Sequence, residues 1–300
     1  MIAKVLGWMP WPFRVGMAPF WQRSWKHRMA RYGLDLLILY VGVAALLMLL
    51  ENWLLYRPAG AADWEAPPDS LHVQDVELTA ADGTKIHAWW CPPPSWEPSQ
   101  GAVVYCHGNA GNLSHRGDAA LLWRKALGQA VLLFDYPGYG RSGGKPSEAG
   151  CYAAADAAYA WLIEVQKMPA DNILILGSSL GGGVAVDLAS RKPHRALVLL
   201  STFTSIPAMA QRIYFWLPTR LLVRNRFDNL AKIPQCSGPV FFAHGTADDL
   251  IPMDQSEQLF RAAAEPKKFF PISGQGHDEF VPPDFFTALQ AFLQEYAPLK

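Results

Sequence analysis

Six short, continuous apolar runs punctuate residues 102–272: Ala102–Cys106, Val131–Phe134, Ile173–Leu176, Leu197–Leu200, Val240–Ala243 and Lys268–Ile272. Helix-like stretches separate them: Ser114–Leu127, Ser147–Val165, Leu180–Arg191, Asp254–Ala264 and Pro283–Tyr296. A strand that is apolar at every position, rather than at alternate ones, must be covered on both faces. Strands of that kind alternating with helices predict a parallel sheet between two helical layers. Val73–Leu78 and Lys85–Trp90 flank the turn dipeptide Asp82-Gly83 and read as an antiparallel hairpin. The expectation is one α/β domain over residues 71–300. It has a mostly parallel sheet of about eight strands, helices on both faces, and no internal repeat.

Residues 1–70 follow a different pattern. Leu36–Leu50 (LLILYVGVAALLMLL) holds no charge, and with the following turn the stretch reaches Tyr56, about the 20 residues that a spanning helix needs. It is apolar on every face rather than on one, which sets it apart from an ordinary core helix. A cleaved signal peptide is the competing reading, helped by Ala59-Gly60-Ala61, but the 35 residues before the run exceed a usual signal n-region. The division expected is a basic, Trp/Pro-rich leader at 1–33, a transmembrane anchor at 34–57 and a Pro-rich linker at 58–70.

Charge orients this anchor. The chain has 26 basic and 26 acidic residues, yet residues 1–57 carry seven basic groups against Asp35 and Glu51, leaving 19 basic and 24 acidic for the rest. Six Lys/Arg precede the helix, and after Arg57 the next is Lys85. Positive-inside then puts the N-terminus in the cytoplasm and the large domain on the extracytoplasmic side. The acidic balance of that domain speaks against a nucleic-acid partner. Four cysteines in 300 residues are too few for a disulfide scaffold.

Gly-x-Ser-x-Gly occurs twice. In Gly177-Ser178-Ser179-Leu180-Gly181 the central serine directly follows a strand and directly precedes a helix. That is the setting of a nucleophile elbow. In Gly140-Arg141-Ser142-Gly143-Gly144 the serine lies in a glycine-rich loop with no helix until about Ser147, so Ser142 reads as a loop residue. Ser179 needs a general base. Of eight histidines, His277 in Gly274-Gln275-Gly276-His277 follows the last strand and can reach the C-terminal edge of the sheet. His107 and His244 each precede a glycine at a strand end and read as loop braces. The acid should lie between serine and histidine in the chain. Asp248 and Asp249, after strand VFFA, both qualify, and spacing does not choose between them. Backbone N–H groups of Leu180 and of Asn109, in the loop His107–Asn112, are the expected oxyanion donors. No metal-ligand spacing and no dinucleotide fingerprint occurs, so no cofactor is expected.

HGNAGN, DYPGYGRSGGKPSE (Asp135–Glu148), GSSLGG, STFTS, HGTADDLIP and GQGH stand in this order over residues 70–298. Together they resemble the membrane-anchored α/β-hydrolases related to eukaryotic depalmitoylases and lysophospholipid lipases. The resemblance implies the α/β-hydrolase fold and a triad of Ser179, Asp248 and His277. It favours Asp248 over Asp249, because the family's HGxxD pattern puts its acid there. It also implies an oxyanion hole of Asn109 and Leu180. Pro137 stands where many relatives carry arginine.

The expected activity is hydrolysis of carboxylic esters or thioesters through an acyl-enzyme, on acyl or lipid-like substrates. A serine peptidase or amidase would use the same groups, and a non-catalytic membrane-anchored scaffold is the reading from another class. Ile206–Phe227 carries four arginines, no acid and many large apolar groups. It reads either as a short cap over the pocket that touches anionic membrane lipid, or as an ordinary pair of helices covering the sheet.

Overall fold

The computed structural model describes residues 24–277 and 281–300. They fall into two units that divide between Leu49 and Leu50. The expected leader at 1–33 lies largely outside the described residues. Helix α1 runs Trp25–Leu55. It therefore begins well before residue 34, because Lys26, Arg28 and Arg31 are good helix formers and no proline interrupts them. Its most apolar 18-residue window has a mean hydropathy of 2.4 and is not buried. The helix is long and apolar enough to cross a membrane.

Residues 50–300 contain one eight-stranded sheet. Its strands are β1 (Gln74–Thr79), β2 (Lys85–Cys91), β3 (Ala102–Cys106), β4 (Ala130–Phe134), β5 (Ile173–Ser178), β6 (Ala196–Leu200), β7 (Val240–Gly245) and β8 (Lys267–Ile272). The spatial order is β8-β7-β6-β5-β3-β4-β2-β1. The sheet is mixed: β2 runs antiparallel to both neighbours, and β3 to β8 run parallel.

The remaining helices are α2 (Gly117–Leu127), α3 (Glu148–Glu164), α4 (Leu180–Arg191), α5 (Ile206–Ile213), α6 (Thr219–Leu222), α7 (Asn229–Lys232), α8 (Asp254–Ala262) and α9 (Pro283–Tyr296). Alternate strand residues feed two cores. Val104 and Cys106 join the side chains of α3, α4 and α8, while Val103 and Tyr105 join those of α2 and α9. This is why each central strand is apolar at every position. All four cysteines, Cys91, Cys106, Cys151 and Cys236, are buried and free.

Residues 58–70 differ from the expected linker. They are pinned to the domain. Arg57-Pro58 pairs in parallel with Ala110-Gly111, and the Glu65 N–H donates to Ser114 Oγ at 3.0 Å. Trp64 packs edge-on against Trp89 and under the Arg141 guanidinium. The prolines that suggested a spacer suit a chain lying extended across a surface just as well.

Candidate active site

Strand order reverses at β3: the chain passes to β4 on one side, then to β5 on the other. The connections leaving β3 and β5 therefore diverge, which opens a crevice at the C-terminal edge of the sheet. Ser179 sits there, between β5 and α4, with φ 52° and ψ −119°. A non-glycine residue at positive φ is strained and is held only by its surroundings. The Ser179 N–H donates to Leu200 O at 2.9 Å, and Thr202 Oγ1 donates to Ser179 O at 3.0 Å. The elbow glycines permit the turn. A Cβ on Gly181 would run into the Cys106 and His107 carbonyls, and one on Gly177 into α4.

His277 Nε2 lies 3.0 Å from Ser179 Oγ, and His277 Nδ1 lies 2.7 Å from Asp248 Oδ2. Asp248 is buried, whereas Asp249 is exposed. The backbone separates them. Asp248 Oδ1 accepts the N–H groups of Leu250 and Ile251 at 3.1 and 2.8 Å. This turns its carboxylate back under its own loop, and Oδ2 is left facing His277. The His244 ring is gripped by Ser256 Oγ and Ile251 O, each at 2.7 Å, and its Nε2 approaches Asp248 Oδ2 at 3.3 Å. Burial lowers the His244 pKa from its ordinary value against the raising effects of Ile251 and Asp248. The neutral imidazole is thus favoured.

A cavity of about 520 Å³ adjoins Ser179 and His277. Asn109 lines it together with Gly108 and Ala110, and Leu180 follows Ser179 as the first residue of α4. His115, Arg116, Asp118 and Leu122 complete much of its wall. The expectation that Ile206–Phe227 caps this pocket is corrected: none of those residues lines the cavity. That segment folds as α5 and α6 with Ile213, Phe215 and Leu221 at least 65% exposed. Its Arg224-Asn225 turn is held elsewhere, on the Glu51 carboxylate.

The family model described as alpha/beta hydrolase fold matches residues 101–230. The chain is 37% identical over 261 residues to the uncharacterized protein Rv2307c of Mycobacterium tuberculosis, covering 86% of this chain and 92% of that one. It is 31% identical over 211 residues to protein bem46 of Schizosaccharomyces pombe, covering 67% and 69%. The chain belongs to the α/β-hydrolase family. Among solved structures, the Pyrococcus furiosus esterase Pf2001 superposes with a TM-score of 0.63 at 20% identity, over 81% of this chain and 99% of that one.

Set on this α/β-hydrolase frame, the five residues expected from sequence gather at one edge of the sheet. Two groups beside them were not foreseen. One is the wall His115–Leu122, which reads in sequence only as the start of a helix. Its signal was position, since whatever follows the loop after β3 must border the crevice. The other is Ser201, also in the cavity wall, with φ 44° at the end of β6. Among the described residues, no group of three or more His, Cys, Asp or Glu could hold a metal ion.

Proposed function

We propose that this α/β hydrolase is a serine hydrolase that cleaves carboxylic esters or thioesters, with Ser179 as nucleophile, His277 as general base and Asp248 as the acid that orients it. The observation that carries this reading is the continuous relay from Ser179 Oγ through His277 to Asp248, at 3.0 and 2.7 Å. These are hydrogen-bond distances at which an imidazole can take the serine proton as the hydroxyl attacks a carbonyl. Asp248 then stabilises the imidazolium and keeps the ring turned toward Ser179. Negative charge develops on the carbonyl oxygen, and the N–H groups of Asn109 and Leu180 receive it. The bond to the leaving group then breaks as the His277 imidazolium gives its proton to the departing alcohol or thiol, and the acyl-enzyme that remains is cleaved by water activated by the same base.

The neighbouring Pyrococcus furiosus esterase supports ester substrates, and the motif resemblance to depalmitoylases and lysophospholipid lipases puts long acyl chains first. A lipid-like substrate also fits the surroundings. Helix α1 would anchor the domain, with the basic leader on the cytoplasmic side. Ile213, Phe215 and Leu221, with Arg220 among them, would contact anionic lipid. Ester hydrolysis is tested by labelling with a fluorophosphonate probe and then by an ester, thioester and amide panel of varied acyl length. A wild-type chain that takes no label is a scaffold, and one that prefers amides is a peptidase or amidase. For the lipid surface, Arg220→Glu combined with Leu221→Ser should lower turnover of acyl esters presented in anionic vesicles. Turnover of a short soluble ester should not change, and equal turnover on both substrates would remove the lipid contact.

A further inference from the structure

We propose that Leu55–Gly60, the segment that leaves the apolar helix, is a positioning strap for the oxyanion loop, so that the anchor's exit and catalysis are mechanically one piece. The inference rests on the serine-hydrolase reading above. It begins with a difficulty: the loop Gly108–Gly111 is short and rich in small residues, with Gly111 at φ +81°. Such a loop has little side-chain packing to hold its peptides, yet an oxyanion hole works only if its donors are aimed in advance.

The structure supplies the missing constraints from outside. The Arg57 N–H donates to Asn109 O at 3.1 Å, and the Ala59 N–H to Gly111 O at 2.9 Å. Asn109 Nδ2 donates to Leu55 O at 2.8 Å, and Asn112 Nδ2 to Gly60 O at 3.3 Å. The Tyr139 hydroxyl, from the loop after β4, also donates to Asn109 O, at 2.8 Å. That loop is tied to the strap in turn, since the Gly140 N–H donates to Ala59 O. Tyr139 and Gly140 of the Asp135–Glu148 motif thus gain a purpose that the triad alone does not give them. On the inner side, His107 Nδ1 donates to Gly108 O at 2.7 Å.

The consequence follows from peptide planarity. The C=O and N–H of a trans peptide point in opposite directions and turn together. His107 fixes the peptide before Asn109 through Gly108 O. Arg57 and Tyr139 fix the peptide after it through Asn109 O. With both peptides fixed, Asn109 cannot rotate, and its N–H keeps one direction in the cavity wall. Without Arg57 and Tyr139 the second peptide is free to flip. The Asn109 carbonyl would then face the cavity, where its partial negative charge repels an oxyanion.

The test uses the full chain with three variants. Arg57→Pro deletes the backbone donor, Arg57→Ala keeps it while removing the side chain, and Tyr139→Phe deletes the hydroxyl and keeps the ring. Arg57→Pro and Tyr139→Phe should each lower kcat about fivefold, and together about a hundredfold, the size of a 1 Å misplacement. KM should stay within twofold, and affinity for a trifluoromethyl ketone, which forms an oxyanion on Ser179, should fall in step with kcat. Arg57→Ala should match the wild type. The inference is overturned if the double variant keeps kcat, or if ketone affinity and kcat do not fall together. It is also overturned if Arg57→Ala loses as much as Arg57→Pro. Should Arg57→Pro fail to fold, Tyr139→Phe carries the same readouts. A wild type without turnover or label defeats the serine-hydrolase reading itself, which is a different result from intact catalysis in the variants.

Discussion

The relay at the crevice and the strap behind it are held together in opposite ways. Ser179, His277 and Asp248 form a single file, each with one bond to the next. Ser179 follows the buried strand β5 directly and Asp248 follows the buried strand β7 by three residues, whereas His277 reaches them from the loop after the edge strand β8. The strap is a web. Just before it, at the end of α1, the Glu51 carboxylate alone accepts from four donors, the backbone N–H groups of Arg224 and Asn225 and both of their side chains. Asn225 Oδ1 receives the Tyr56 hydroxyl and the Glu148 N–H. A single file fails completely when one member goes. A web shares its load and fails by degrees.

That contrast ranks the outcomes of mutation. Ser179→Ala should lower turnover by about 10⁴-fold with the melting temperature unchanged, because the nucleophile is lost and no packing is. Retention of more than a tenth of the activity would mean that the file is not the catalytic path. Asp248→Asn should cost about 10³-fold or more, since the imidazole is left without its orienting charge. Asp249→Asn, one residue away and exposed, should stay within twofold, and equal losses at the two positions would erase the distinction between them.

Glu51→Ala belongs to the web and should act on stability rather than on the chemical step. It strands the Arg224 and Asn225 N–H groups, at a cost of about 1–3 kcal/mol. Thermal unfolding should then begin several degrees lower, with kcat near wild type. A large kcat loss without a change in melting temperature would place Glu51 with the relay.

The smallest effect expected is on pH. Burial lowers the pKa of both His244 and His194 in the fold. The unfolded chain therefore takes up protons first as pH falls below about 6.5. The stability contributed by these neutral rings is complete above that value and is lost as the pH drops toward their depressed folded values. A melting temperature that does not fall between pH 7.5 and 5.5 would show that the rings are solvated.

Much of the relay could be read directly from the chain. The Gly177–Gly181 elbow shows itself because a positive-φ serine needs small neighbours at fixed offsets, and those offsets are local. His277 is legible because the last strand and the last helix bracket it. The aspartates were not separable by residue reasoning, and the family resemblance alone favoured Asp248. Two adjacent residues differ only in which way the loop turns, and that depends on the Leu250 and Ile251 N–H groups. The strap was less legible still. Its bonds join Leu55 to Asn109 and Gly60 to Asn112, and nothing local marks a main-chain partner fifty residues away.

Sequence alone determined what periodicity and local turn chemistry can encode. Continuous apolar runs fixed the buried strands, and glycine offsets fixed the elbow. The apolar stretch Leu36–Tyr56, broken only at Glu51 and Asn52, marked a helix long enough to span a bilayer. Tertiary structure decided what depends on long-range approach. It pinned the expected linker to the domain, made its first residues part of the strap, and took Ile206–Phe227 out of the pocket wall. It also left His244 beside Asp248. For the strap the physical reason is plain: a hydrogen bond between distant backbone atoms requires only an N–H and a C=O. Almost every residue carries both, so such a pairing leaves little mark on side-chain composition.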